Sequence, residues 1–172
     1  MLNMTANFES IKIQFEKNTA NLCGIFFKID EGTFFRKPET SGWCVAEIIE
    51  HLLISDKTGL FAIMRKTLPT ERNPLEILSL LEERSEDKGA RLQAPEAAEP
   101  KGIFKTRDEA IAAWKDNREK VLKKVTSENI WMLAAGFEHP KLGMMTVAEW
   151  MLFMCWHSEH HLTQIQRCIK DS

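Results

Sequence analysis

The sequence predicts an all-α protein, and three observations carry that expectation. Apolar residues recur at steps of three, four and seven along most of the 172-residue chain, the spacing of one helical face. Three segments open on Thr or Cys followed three residues later by Glu, the signature of a capped helix start. No segment alternates with a period of two for long enough to make a strand. Four long helices with one extended connection suggest a four-helix bundle, built as a single domain over residues 1–172.

Phe8, Ile11, Phe15, Leu22, Ile25 and Ile29 form one stripe, which predicts a first helix from about Thr5 to Lys28. The stretch Gly24-Ile-Phe-Phe-Lys-Ile-Asp-Glu-Gly continues this helix better than it alternates, and Ile103-Phe-Lys is too short for a strand. Trp43-Cys-Val-Ala-Glu-Ile starts the second helix, with Cys44 at the N-cap, Glu47 three residues on and Trp43 packing on Ile48 as a hydrophobic staple. Cysteine is a poor cap. Val45, Ile48, Ile49, Leu52, Gly59 and Ile63 carry this helix to about Lys66, with His51 beside the stripe and Glu47 and Glu50 expected at the surface.

Between Thr67 and Lys105 the composition turns polar and Pro69, Pro74, Pro95 and Pro100 intervene, marking a crossover. Asn73-Pro-Leu-Glu can cap a short helix there, running to about Lys88 before Gly89 stops it. Thr106-Arg-Asp-Glu is a complete capping box for the third helix, whose inner face is Ile111, Trp114, Val121, Leu122 and Val125. His139 falls in the following loop, Gly136 to Gly143, as a solvent-facing turn residue. Thr146-Val-Ala-Glu is a second full box, with Met145 and Trp150 placed to staple it. Val147, Trp150, Met151, Met154, His157, His161, Ile165 and Cys168 then form the inward face of a fourth helix that runs nearly to the end of the sequence.

Composition narrows the function. With 44% hydrophobic and 28% charged residues the chain has the balance of a globular protein, and its net charge of -2 gives no electrostatic footprint for nucleic acid. The four cysteines, Cys23, Cys44, Cys155 and Cys168, form no Cys-x-x-Cys pair and read as reduced thiols. The first ten residues lack the pattern of a secretory signal, and the apolar run Met144 to Trp156 is too short to span a bilayer. Cytoplasm is the expected location.

The chemistry concentrates in histidine. His157 and His161 are four residues apart, so on a helix they share a face with Cβ atoms ~6 Å apart and can hold one metal ion together. His51 from another helix completes a three-histidine set, and three protein ligands leave a coordination position open. A lone inward histidine is more often a core residue bonded to a carbonyl, but two on one apolar face are satisfied together by one shared metal. Ser158 stands where a zincin needs Glu, and no Glu-x-x-His repeat supplies a di-iron site. A mononuclear site fits better. His160 is an alternative to His161 as ligand and a secondary catalytic candidate. Arg118, on the inner side of the third helix, is either a packed, paired arginine or a clamp for a carboxylated substrate.

Four segments together resemble the DinB/YfiT-like superfamily over nearly the whole chain: Trp43-Cys-Val-Ala-Glu-Ile-Ile-Glu-His51; Ala94-Pro-Glu-Ala-Ala-Glu-Pro-Lys-Gly-Ile-Phe; Trp114-Lys-Asp-Asn-Arg118; and His139-Pro-Lys-Leu-Gly-Met-Met-Thr-Val-Ala-Glu-Trp continued by His157-Ser-Glu-His-His161-Leu-Thr-Gln164-Ile. The resemblance implies a four-helix bundle binding one divalent metal, often zinc or nickel, through histidines that map to His51, His157 and His161. It also implies pairing into dimers, for which Phe34 and Phe35 are expected as exposed apolar residues. Relatives in that superfamily include thiol S-transferases, a mycothiol-dependent maleylpyruvate isomerase and proteins described as metal-dependent hydrolases. Cys44 departs from the Ser common at that position, and Thr163 departs from the His-x-x-x-His-x-Glu motif of the related sulfoxide synthases.

Three functions follow as expectations. The first is a metal-dependent transferase that activates a low-molecular-weight thiol cosubstrate at the three-histidine site. The second is a metal-dependent hydrolase acting through water, and the third a stress-related binding protein without turnover. Imidazole ligands suit zinc, nickel, copper or iron, with manganese a further option. The substrate is expected to be a small molecule. Because the crossover between Thr67 and Lys105 has little apolar periodicity, its amides should on the whole exchange with solvent faster than those of the first and fourth helices; uniform protection in a hydrogen-exchange experiment would contradict this.

Overall fold

A computed structural model describes residues 7–38, 42–86 and 96–170, and every statement below concerns those residues. The expected stop at Gly89, the Ala94-Pro95 pair and the expected start at Thr5 lie outside them. The protein is mostly helical. In chain order the helices are α1 (Phe8–Phe26), α2 (Glu31–Phe35), α3 (Val45–Met64), α4 (Ile77–Glu86), α5 (Arg107–Lys124) and α6 (Val147–Lys170), with a single 3-10 turn at Glu96–Ala98. The four long ones, α1, α3, α5 and α6, pack so that α1 and α3 each lie against both α5 and α6, while α4 lies on α6.

The helix starts follow from their caps. Asn7 opens α1 by a reciprocal pair with Ser10, its side chain accepting from Ser10 N–H at 2.9 Å and Ser10 Oγ accepting from Asn7 N–H at 3.0 Å. Glu47 supplies the strong half of the α3 start, accepting from Cys44 N–H at 2.9 Å. At α5 the Thr106 hydroxyl caps Glu109 N–H at 3.1 Å, but Glu109 reaches back to Lys105 N–H at 3.0 Å instead of closing the expected box on Thr106. The α6 box closes fully, through Thr146 N–H to Glu149 at 2.8 Å and Glu149 N–H to Thr146 Oγ1 at 3.1 Å. Glu149 is buried and also meets Arg72 at 2.6 Å and the N–H of Ile77 at 3.0 Å. One carboxylate thereby joins the starts of α4 and α6.

Several expectations need correction. The first helix ends at Phe26, after which Asp30 caps a separate α2 by accepting from Thr33 N–H. That turn folds Phe34 into the core at 0% exposure and leaves Phe35 partly buried, so these residues do not form an exposed dimer surface. Asn73 makes a local turn, accepting from Leu75 N–H at 3.0 Å, and α4 begins only at Ile77. A short antiparallel pair, β1 (Thr67–Leu68) with β2 (Leu133–Ala134), also exists. Two residues carry no periodicity to read, and they form because the ends of α3 and the approach to α6 meet there.

The core has two apolar parts. One gathers Phe15, Leu60, Val121 and Trp150 with their neighbours, and the other gathers Phe26, Ile48, Trp114 and Ile165. Buried polar residues Asn18, Thr19, Asp56, Asn117, Arg118 and Ser158 lie between these groups along the four long helices. Arg118 is their hub. Its Nε donates to Asp56 at 2.8 Å, its Nη1 to Asn18 and Thr19 at 2.6 and 3.3 Å, and its Nη2 to the Met154 carbonyl and Ser158 at 2.8 and 3.3 Å. Trp114 Nε1 donates to the same Asp56 oxygen at 3.0 Å. Farther along, Gly59 lets α3 approach α6 closely: a Cβ there would fall on the Met154 methyl and lie 2.9 Å from the Trp150 ring.

Removing one partner of a fully buried ion pair strands the other. Arg118→Met should therefore lower unfolding stability by ~3–5 kcal/mol, while the double variant with Asp56→Leu should recover much of the loss. Equilibrium denaturation of the two variants checks this.

Candidate metal centre

Three helical turns bring three histidines together. Helix α3 supplies His51 on its inward side, and α6 supplies His157 and His161 one turn apart, as the four-residue spacing requires. His157 Nε2 lies 3.2 Å from His51 Nε2 and 3.1 Å from His161 Nε2, and the ligand atoms of all three fall within 4.8 Å of one another. A tetrahedral ion with bonds of ~2.0–2.1 Å needs nitrogens about 3.3 Å apart. The two separations from His157 match such an ion, and the third nitrogen pair lies within 4.8 Å.

The opposite ring edges decide which nitrogens face the centre. His51 Nδ1 lies 2.8 Å from the Ala98 carbonyl, which can only accept, so the proton sits on Nδ1 and the Nε2 lone pair faces inward. His161 Nδ1 lies 2.9 Å from Gln164 Oε1, which selects the same tautomer. Nitrogen lone pairs that converge in this way need a shared cation or proton. His157 has no such outer partner among the described residues: its Nδ1 is buried and unbonded, and its ring stacks on Phe153 at 5.4 Å and 13°. Trp43 covers His51, with ring centroids 4.9 Å apart.

Burial sets the protonation of the trio. It pushes His157 well below its ordinary value, with His161 and His51 adding to the effect. It lowers His161 to about 4 against the support of Gln164, and lowers His51 against the support of Ala98. Neutral imidazoles are the form that binds metal.

The other candidates stand apart. His160 is exposed, stacks on Trp156 at 5.6 Å and lies outside the convergent set. All five N–H groups of Arg118 point at internal acceptors, so the geometry is that of the paired arginine, and the substrate clamp loses its free donor. His139 does sit in a turn, yet it is partly buried, with its ring 5.2 Å from Phe153, which corrects the solvent-facing expectation. Glu50, expected at the surface, is 2% exposed beside His51. Sequence reasoning missed it because the groups it binds are about fifty residues away; the one local signal was an acid next to a run of Ile48, Ile49 and Leu52.

The family model for the DinB superfamily matches residues 14–165. The chain belongs to the DinB superfamily. Proteins of that superfamily bind metal, and a three-histidine group able to hold an ion is present in this member. The chain is also similar to the uncharacterized protein YuaE of Bacillus subtilis (strain 168), 23% identical over 136 residues that cover 76% of this chain and 80% of that protein. No described helix is long and apolar enough to cross a membrane.

Because the folded histidines titrate below the unfolded value of ~6.5, the unfolded chain takes up protons first as pH falls. The histidine contribution to the stability of the metal-free DinB protein should be level around pH 7 to 8 and be lost as pH falls from ~6.5 toward 4. Denaturation at a series of pH values should show this slope, and a variant with all three histidines replaced by Gln should lose most of it.

Proposed function

We propose that this protein is a divalent-metal-dependent enzyme in which His51, His157 and His161 hold one ion, zinc or nickel before iron or manganese, and that it activates a low-molecular-weight thiol for transfer to a small electrophile. The observation that carries this reading is the convergence of three nitrogens at the centre with two outer edges fixed by Ala98 and Gln164. When bound, such a metal lowers the pKa of a thiol or water at its open position, so a nucleophile forms at neutral pH.

The chain's residues supply the remainder. Burial raises the thiols of Cys23 and Cys44 and pushes Cys155 up to about 12, and Cys168 is buried with its Sγ 3.4 Å from the Trp43 carbonyl, so in this reading the reactive thiol comes from outside. There is no tyrosine, and Glu159 is engaged by Asn18 at 2.9 Å. His160, exposed next to the trio, is the side chain best placed to pass a proton to solvent. Trp43 and Phe153 cover the flanks of His51 and His157 and limit the approach of water. We further propose that the four long helices form the four-helix bundle of the family, with residues 67–105 as its crossover, and that the protein works in the cytoplasm as a homodimer on a small-molecule substrate.

Replacing His51, His157 or His161 by Ala should weaken metal binding strongly with helix content near normal, and replacing His160 should do far less. Cobalt-loaded protein given a suitable thiol should develop a sulfur-to-metal charge-transfer band. Full metal retention by the His157→Ala, His161→Ala double variant would overturn the site. Hydrolysis that proceeds equally well without any thiol would replace the transferase by a hydrolase.

A further inference from the structure

Glu50 is a buried carboxylate whose partners are all backbone. Its Oε1 accepts from Lys101 N–H at 2.7 Å, and its Oε2 from Gly102 N–H at 2.8 Å and Ile103 N–H at 3.1 Å. Three successive amides turned to one point make a concave anion site, and the positive φ of Gly102, 69°, is the step that turns them. The strap they belong to begins at the Glu96–Ala98 turn, and Ala98 offers its carbonyl to His51 Nδ1 at 2.8 Å. Adjacent residues of α3 thus hold one strap at two points: a carboxylate at one end, an imidazole at the other.

We propose that Glu50 is a positioning residue for the metal centre: by gripping the backbone of Lys101 to Ile103 it fixes the Ala98 carbonyl, which holds His51 in the tautomer that turns its Nε2 toward His157 and His161. The residue type matters. A glutamine of the same size has one acceptor oxygen, and its amide would face an N–H donor where the carboxylate presents a lone pair. A carboxylate also binds amides more strongly than a neutral group does. Without the grip, the Ala98 carbonyl is tethered only through the rest of the strap, and His51 is free to place its proton on either nitrogen.

The effect on the tautomer stands apart from the metal reading, whereas the effect on metal affinity rests on it. In metal-free protein labelled with nitrogen-15, wild-type His51 should show its proton on Nδ1, and Glu50→Gln should show a mixture of tautomers. Zinc and cobalt affinity should fall about 10- to 100-fold, the usual cost of losing an outer partner of a ligand, and the visible spectrum of the cobalt form should change. Glu50→Asp keeps the charge and should recover part of each effect; it also decides the matter if Glu50→Gln does not fold. In wild-type protein the amides of Lys101 to Ile103 should be protected from exchange within an otherwise fast crossover. If either variant loses that protection while His51 keeps its tautomer and the cobalt spectrum is unchanged, Glu50 is only a clasp for the strap and the proposal fails. A wild-type protein that binds no metal would remove the metal centre and leave the tautomer measurement to judge Glu50.

Discussion

Everything at the histidine centre depends on the axial register of the four long helices, and the Arg118–Asp56 pair sets it. Apolar packing alone tolerates sliding, because one Leu or Ile fits a groove much as another does. A guanidinium whose five donors meet groups on α1, α3 and α6 does not. Moving α3 by one residue, ~1.5 Å along its axis, would pull Asp56 from the buried guanidinium at a cost of several kcal/mol, and moving α1 or α6 would leave buried N–H donors of Arg118 without their acceptors. Ser158, which Arg118 touches, adjoins His157, and Asp56 follows His51 by five residues on the same helix. The ion pair acts as the key that aligns His51 with His157 and His161.

Local signals in the sequence were enough for the parts of the fold that local bonds decide. The Thr146 and Glu149 box is visible as four letters and closes as four letters predict, since both partners lie within one turn. The same is true of His157 and His161, whose facing is a property of helix pitch. His51 needs more: its distance in sequence says nothing about contact, and it enters because a third imidazole from another helix completes a three-histidine set and because the family resemblance maps a ligand to it. The structure brings it within 3.2 Å of His157.

What was hidden was decided by tertiary partners. Glu50 looks like a surface acid until the strap of residues 101–103 covers it, and the three amides that stabilise it have no signature in composition. Phe34 looks exposed when it is placed just past the end of the first helix, but Asp30 caps a second short helix there and the ring folds into the core. Glu149 was legible as a cap and illegible as the partner of Arg72, because a carboxylate has room for both roles only when two segments 77 residues apart converge on it. Glu50 and Glu149 are incomplete readings of environment, whereas the Asp30 cap on Thr33 is a local signal that the apolar stripe of the first helix obscured.

Gly59 has a consequence for the centre although it touches none of its residues. It lies eight residues along α3 from His51, or ~12 Å at helical rise, and leaves no room for a side chain between α3 and the Trp150 and Met154 side chains of α6. Two packed helices held to a close approach at one position carry that spacing along to their neighbouring turns. Those turns carry His51 on one helix and His157 with His161 on the other. The absence of a single methyl group there is therefore a dimension of the histidine centre, and the gap between His51 and the pair on α6 depends partly on a residue that lies about two turns away from it.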